Sequence, residues 1–324
     1  MTARRPSGAA QAVGSDLRRR ARASWARAAA FALLLAATGL VFALLRPFLQ
    51  DLPWIAILSA GLLYLTSHGL RAVRLALLSI DLLGVSGRTA ALMHLATAPI
   101  ALVLPFKSGE LLRLHELWRL SGAAVYAAAM LLIDRMFDAI FLVPLLVILL
   151  SLDSAPAMLA AFTLFAAVVP LTIVVVGPRI LTELQHYIVA THNNPRVLEV
   201  LRHIDAVRVV VTHAAHVAGK RAPELCVISF LVWSCELLAC LMLVNGTAAG
   251  VFAEMAEAFD LLGSRLSASW WNMGDDPLLR AALAVSTVVV MLPWPVVAMV
   301  YLARRRHEPR RVPATAHAMR SVAS

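Results

Sequence analysis

The chain has little charge, little acid and little cysteine, and each scarcity removes a class of protein. Of 324 residues only 15% are Asp, Glu, Lys or Arg while 60% are hydrophobic, and the mean hydropathy is +0.79. That balance excludes a soluble globular domain and fits a chain that uses lipid as solvent. Cys226, Cys235 and Cys240 are odd in number and lack CxxC spacing, so they read as small buried hydrophobes rather than zinc ligands or a disulfide framework. No GxxxxGK[ST] stretch offers a phosphate loop for ATP. The apolar blocks do not alternate in polarity, which argues against a β-barrel. No internal repeat and no low-complexity segment stand out beyond the basic, alanine-rich ends.

What is present is a series of apolar blocks about 20 residues long, each enough to cross roughly 30 Å of hydrocarbon as a helix. The expected spans are 28–45, 53–70, 125–150, 156–177, 223–245 and 279–303. The first lacks a clear small-residue cleavage site and is expected to stay as an anchor. A net charge of +10 and a pI near 10.7 raise the question of nucleic acid. The arginines answer it. Arg4, Arg5, Arg18, Arg19, Arg20, Arg22 and Arg27 precede the first span, and Arg304, Arg305, Arg306, Arg310, Arg311 and Arg320 follow the last. Flanking placement without interleaved aromatics is the positive-inside pattern, with anionic headgroups rather than nucleic acid as the partner. Trp25, Trp54, Trp270 and Trp271 fall near span ends, where indole rings anchor at the interface.

Both termini are therefore expected in the cytoplasm, as basic tails 1–27 and 304–324, with a transmembrane domain over 28–303. Segment 178–222, with Arg179, Arg196, Arg202, Arg208, Lys220 and Arg221, also belongs on the cytoplasmic side. It reads as a helical hairpin turning at Asn193-Asn194-Pro195, its second arm placing Val197, Leu201, Ile204 and Val211 on one stripe. Segment 246–277 is acidic apart from a lone Arg265 and is placed outside. An even number of crossings then makes the short stretch 89–104 re-entrant, dipping in and returning over 105–122. The fold class is all-α, a polytopic bundle of six full spans plus a re-entrant segment; the alternative is eight spans, with a further crossing hidden in 246–277.

Charges interrupt this pattern at a few places. "LPFKSGELLRLHELWRL", 104–120, places Glu110 and Arg113 at i,i+3, a spacing that Glu116 and Arg119 continue. Pro105 and Gly109 supply a break, and the free N–H groups of the helix start lie close to Lys107 and Ser108, a combination suited to an anion. "LLIDRMFDAIF" then puts Asp134, Arg135 and Asp138 inside an apolar helix, where each ionised group costs on the order of 2.5–3.5 kcal/mol on insertion scales. They require partners in the bundle. Arg113, Arg135, Arg71 and Arg74 are the candidates, with His68, Arg71 and Arg74 recurring at i,i+3. Glu236 in "WSCELLAC" is a further intramembrane acid, a counter-ion or proton carrier. His213 and His216 at i,i+3 lack a nearby carboxylate, so no metal is expected.

The order "LP-x3-GE-x2-R", here Leu104, Pro105, Gly109, Glu110 and Arg113, followed by Asp134, Arg135 and Asp138 inside a span, resembles the lysylphosphatidylglycerol synthase transmembrane region family, a flippase-like integral membrane domain. Arg71 and Arg74 resemble that family's arginine-bearing second span. Segment 246–277 holds no good copy of the family's second Pro- and Gly-rich motif. The resemblance implies a lipid-related role in the cell envelope. In two-part members a separate soluble domain makes aminoacylated lipid; here no soluble region of domain size appears, so the chain is expected not to be an enzyme, to have no catalytic residues and to need no cofactor. The expected function is binding and translocation, across the cytoplasmic (inner) membrane, of a lipid or polyprenyl-linked species with an anionic or zwitterionic headgroup. Lys107, Arg113, Arg71 and Arg74 would hold phosphate, and Glu110, Asp134 and Asp138 would orient those cations and meet any amine or sugar hydroxyl, with Arg135 and Glu236 completing the chamber. The alternative is an accessory subunit that positions a membrane glycosyltransferase or lipid-modifying enzyme through 178–222 and moves nothing. A third reading, an intramembrane transferase with Mg²⁺ on Asp134 and Asp138, is disfavoured by neighbouring Arg135.

Overall fold

The structure, a computed structural model, describes residues 8–50, 52–103, 108–151, 157–191, 195–244, 251–267 and 274–305. The described residues form twelve α-helices, one short 3-10 turn and no strand. The all-α expectation holds, for a physical reason: in lipid a helix satisfies its own backbone polar groups, and an open strand does not. In chain order the helices are α1 (Gly8–Leu45), α2 (Trp54–Leu83), α3 (Gly87–Val103), α4 (Ser108–Ser121), α5 (Ala124–Ser151), α6 (Ala157–Val175), α7 (Gly177–Thr191), α8 (Pro195–Lys220), α9 (Ala222–Val244), α10 (Val251–Ser267), α11 (Pro277–Met291) and α12 (Trp294–Arg305).

Two helices are long and apolar enough to cross a membrane, Ala28–Leu49 and Ala222–Val244, and two bent pairs pass together: Ala167–Val175 with Gly177–Thr191 at 56°, and Pro277–Met291 with Trp294–Arg304 at 44°. The expected spans 53–70 and 125–150 fall on α2 and α5, helices of 30 and 28 residues that carry the internal charges and are not among these two to four candidates. Large apolar side chains face outward around the bundle, among them Leu33, Leu40, Leu62, Phe165 and Phe230. An uncovered apolar belt of that extent calls for lipid contact, and the chain is a membrane protein.

α2 and α9 form the central pair. Six of the eight buried positions of α9, Leu225, Ser229, Val232, Glu236, Ala239 and Leu243, recur at alternating steps of four and three, the seam of two helices packed side by side, and Cys240 and Val244 widen it at one end. Between lipid-embedded helices such a seam is held by close van der Waals contact and interhelical hydrogen bonds, since the hydrophobic effect no longer discriminates. Gly84 in the left-handed region (φ +62°) ends α2 by a C-cap bond to the Ser79 carbonyl, the conformation that favours glycine there.

The core has two apolar layers. One gathers Leu75, Leu78 and Leu82 of α2 with Leu117, Met130, Ile133 and Leu225. The other gathers Ala60 and Tyr64 with Ala239, Leu243, Leu261 and Leu283. On α2 the residues between the layers are Ser67, His68, Arg71 and Arg74, and on α9 they are Ser229 and Glu236. A polar stratum is thereby sealed between two greasy ones.

α3 and α4 fold back on each other. Gly109 sits against Ala101, and a Cβ added there would collide with the Ala101 backbone. The glycine is needed for close helix approach. Its sequence partners in the break, Leu104, Pro105 and Lys107, lie outside the described residues. α12 clamps the hairpin: Trp294 Nε1 donates to the Ala96 carbonyl at 2.9 Å, and the Tyr301 hydroxyl donates to Glu116 Oε2 at 2.5 Å.

Helices α7 and α8 pack together as the expected hairpin arms, and the turn at 192–194 lies outside the described residues. On α8 the stripe Val197, Leu201, Ile204 and Val211 is half-buried, while Val210, Ala214, Val217 and Ala218 enter the core. Arg221 Nε donates to Asp81 Oδ2 at 2.7 Å, tying the start of α9 to the end of α2. Segment 246–277, expected as an outside loop, differs: Val251–Ser267 is a helix with Ala258, Leu261 and Leu262 buried in the core. Its apolar face, at 258, 261 and 262, is too large to leave in water. Trp25 and Trp54 are exposed, and Trp270 and Trp271 lie outside the described residues.

Candidate functional site

The stratum between the two apolar layers contains five guanidiniums and four carboxylates, drawn from α2, α4, α5, α9 and α10. Its most enclosed member is Arg74, fully buried. Nε donates to Asp134 Oδ1 at 2.7 Å, and Nη1 donates to Asp138 Oδ1 and to Ser229 Oγ, both at 2.7 Å. The i,i+4 spacing of the two aspartates puts them on one face of α5, where a single fork spans both. Arg135 closes the other side: Nη2 donates to Asp134 Oδ2 and Nη1 to Asp138 Oδ2, each at 3.1 Å. Each of the four oxygens accepts from an arginine, so two guanidinium charges stand where a divalent cation would bind. Among the described residues no group of His, Cys, Asp or Glu is arranged to hold a metal.

Toward α4 the network loosens. Glu110 lies 3.1 Å from Arg135 Nη2 and accepts from Arg113 Nη1 at 3.2 and 3.3 Å. Arg113 is only 3% exposed, yet this is its sole carboxylate among the described residues. The side chains of Glu110 and Arg135 are 33% and 38% exposed, so the stratum opens outward between α4 and α5.

Toward α9, Glu236 is held three ways. Ser67 Oγ donates at 2.7 Å and Arg71 Nη2 at 3.2 Å to Oε1, and Arg265 of α10 donates to Oε2. Arg71 lies 5.3 Å from the Trp233 ring centre and Arg265 lies 4.1 Å from that of Tyr64, within cation–π range. These contacts hold the cations without using all their N–H groups.

His94 of α3 completes the centre. It is buried, its ring lies 6.3 Å from that of His68, and neither ring nitrogen has a hydrogen-bond partner among the described residues. Nε of Arg71, Arg113 and Arg135 and Nη2 of Arg74 are likewise buried without a partner.

Of the residues singled out in the sequence, the structure brings together Arg71, Arg74, Glu110, Arg113, Asp134, Arg135, Asp138 and Glu236; Lys107 lies outside the described residues. The pairing is more selective than the list of candidates. Asp134 and Asp138 take Arg74 and Arg135, while Arg71 turns instead to Glu236, so the His68–Arg71–Arg74 stripe divides between two acids. Arg119 pairs with Glu116 at 3.4 Å. His213 reaches the Asp81 carbonyl at 3.3 Å and stacks edgewise on Tyr126, a packing role. Arg265 and His94 were missed. Arg265 carried a signal, as the lone cation of an acidic segment facing an intramembrane acid; His94, one histidine in an apolar run, carried none. No family model, curated protein or solved structure matches the chain.

Proposed function

We propose that this chain is a polytopic protein of the cytoplasmic membrane, with six full spans, a re-entrant α3–α4 hairpin and both termini in the cytoplasm, that binds the headgroup of a lipid or lipid-linked molecule and carries it across the bilayer. The observation that supports it is the charged stratum itself. Nine ionisable groups at membrane depth are expensive to keep, and they open outward at Glu110 and Arg135 rather than being sealed on all sides. Such a path replaces the water around a headgroup with fixed polar groups, while acyl chains stay against the apolar belt. Arg113, Arg71 and Arg135 contact the headgroup. Arg74 positions Asp134 and Asp138. The likeness of residues 104–138 to flippase-like membrane domains points the same way, and the arginine-rich ends support the orientation.

The test is mass spectrometry of lipids retained by the purified protein, comparing wild type with Arg113→Ala and Glu110→Gln. A phospholipid or polyprenyl-linked species kept by the wild type and lost from both variants is the expected result. Identical bulk lipid on all three proteins would overturn the reading and favour the accessory-subunit alternative. That alternative draws on one observation, the uncovered apolar side chains Ile180, Leu184, Tyr187 and Val189 of α7.

A further inference from the structure

The acidic and basic sides of the stratum are unequally satisfied. Every one of the eight oxygens of Glu110, Asp134, Asp138 and Glu236 already accepts from an arginine. On the donor side Nε of Arg71, Arg113 and Arg135 and Nη2 of Arg74 are buried and without a partner among the described residues, and so is the one N–H of His94, neither of whose ring nitrogens is bonded there. A buried donor left unmade is costly, so this arrangement is completed by something that brings acceptors. The charge count agrees: five guanidiniums against four carboxylates leave one positive charge.

We infer that the chamber is selective for a phosphate-bearing anion and disfavours headgroups that carry an amine, with His94 as a recognition residue alongside Arg71, Arg113 and Arg135. This rests on the headgroup reading above. A phosphodiester brings a single negative charge and two unbridged oxygens, which matches both the charge and the donors. An ammonium group brings three donors and a positive charge, and here every carboxylate already faces an arginine and the five guanidiniums outnumber the four carboxylates. Specificity of this kind comes as much from the unpaired charge facing the wrong ligand as from contacts to the right one. His94 presents one N–H in either tautomer, and neither of its ring nitrogens has a partner among the described residues.

Native mass spectrometry of the full chain, offered equimolar phosphatidylglycerol and phosphatidylethanolamine with matched acyl chains, tests this on the wild type alone. Roughly tenfold more phosphatidylglycerol retained is the expected outcome, a ratio in the range that one unpaired charge produces. His94→Leu should bring the ratio to within about twofold, His94→Gln, which keeps an N–H donor, should hold most of it, and Arg208→Gln in the α7–α8 hairpin should leave it unchanged. Equal retention of the two lipids, or more phosphatidylethanolamine, overturns the anion selectivity while leaving a headgroup site. Thermal stabilisation of the wild type by millimolar inorganic phosphate, lost in His94→Leu, with neither lipid retained, upholds the anion seat but assigns it to free phosphate. No lipid retained and no effect of phosphate overturns both readings.

Discussion

Two arginines of the same stratum, Arg74 and Arg113, are almost equally buried and very differently held. Arg74 makes three contacts of 2.7 Å to groups on α5 and α9, so it is locked by two helices other than its own. Arg113 has Glu110, one turn before it on the same helix, at 3.2 Å or more, and that carboxylate is partly exposed and shared with Arg135. Burial alone therefore does not separate a structural charge from one available to a ligand. The number of partners on other helices does.

The contrast breaks most sharply at Arg74. Arg74→Met leaves Asp134 and Asp138 facing each other with only Arg135, and losing one partner of a buried ion pair costs about 3–5 kcal/mol; thermal unfolding in detergent should show the variant failing to reach a folded, monodisperse state. A variant as stable as the wild type would remove Arg74 from its clamping role. Gly109→Ala comes next. It forces α3 and α4 apart at Ala101, an overpacking cost of about 1–3 kcal/mol, and lipid retention should fall with stability because the hairpin carries both Arg113 and His94. Arg113→Ala sharpens the comparison by separating these readouts: stability should change by only about 1 kcal/mol, since Glu110 keeps Arg135, while retained headgroup lipid is lost. Normal retention would move Arg113 out of the site.

The smallest effect lies at the edge of the bundle, where the Arg221 guanidinium hydrogen-bonded to Asp81 holds that carboxyl below the usual carboxylate range. A depressed acid stabilises the fold at pH values above its unfolded range and loses that contribution as pH falls through the folded value. Asp81→Asn should cost about 0.2–1 kcal/mol near neutrality, since the pair is partly solvated and screened. The difference from wild type should shrink steadily below about pH 4, the ordinary range of an aspartate. A gap that stays constant into acid would mean that Asp81 acts through packing instead of charge.

Local pattern carried the class of the molecule. Blocks such as 28–45 and 223–245 are apolar over a full membrane thickness, and no fold of such a segment other than a helix satisfies its backbone in lipid. Charges inside apolar runs were legible for the same reason: Asp134, Arg135, Asp138 and Glu236 stand out against their neighbours and must find partners. The sequence also suggested the break between α3 and α4, through Gly109. It could not say which cation meets which acid. Arg74 and Asp134 are 60 positions apart, Arg71 and Glu236 are 165 apart, and such choices depend on helix rotation and depth that no local window contains. The helical character of 251–267 was hidden because its acidic residues imitate a loop while its buried apolar face is only Ala258, Leu261 and Leu262. Only the tertiary structure brought Arg265 to Glu236 and set His94 beside His68 with neither ring nitrogen partnered among the described residues, because whether a buried polar atom has a partner is decided by every helix around it and by none of them alone.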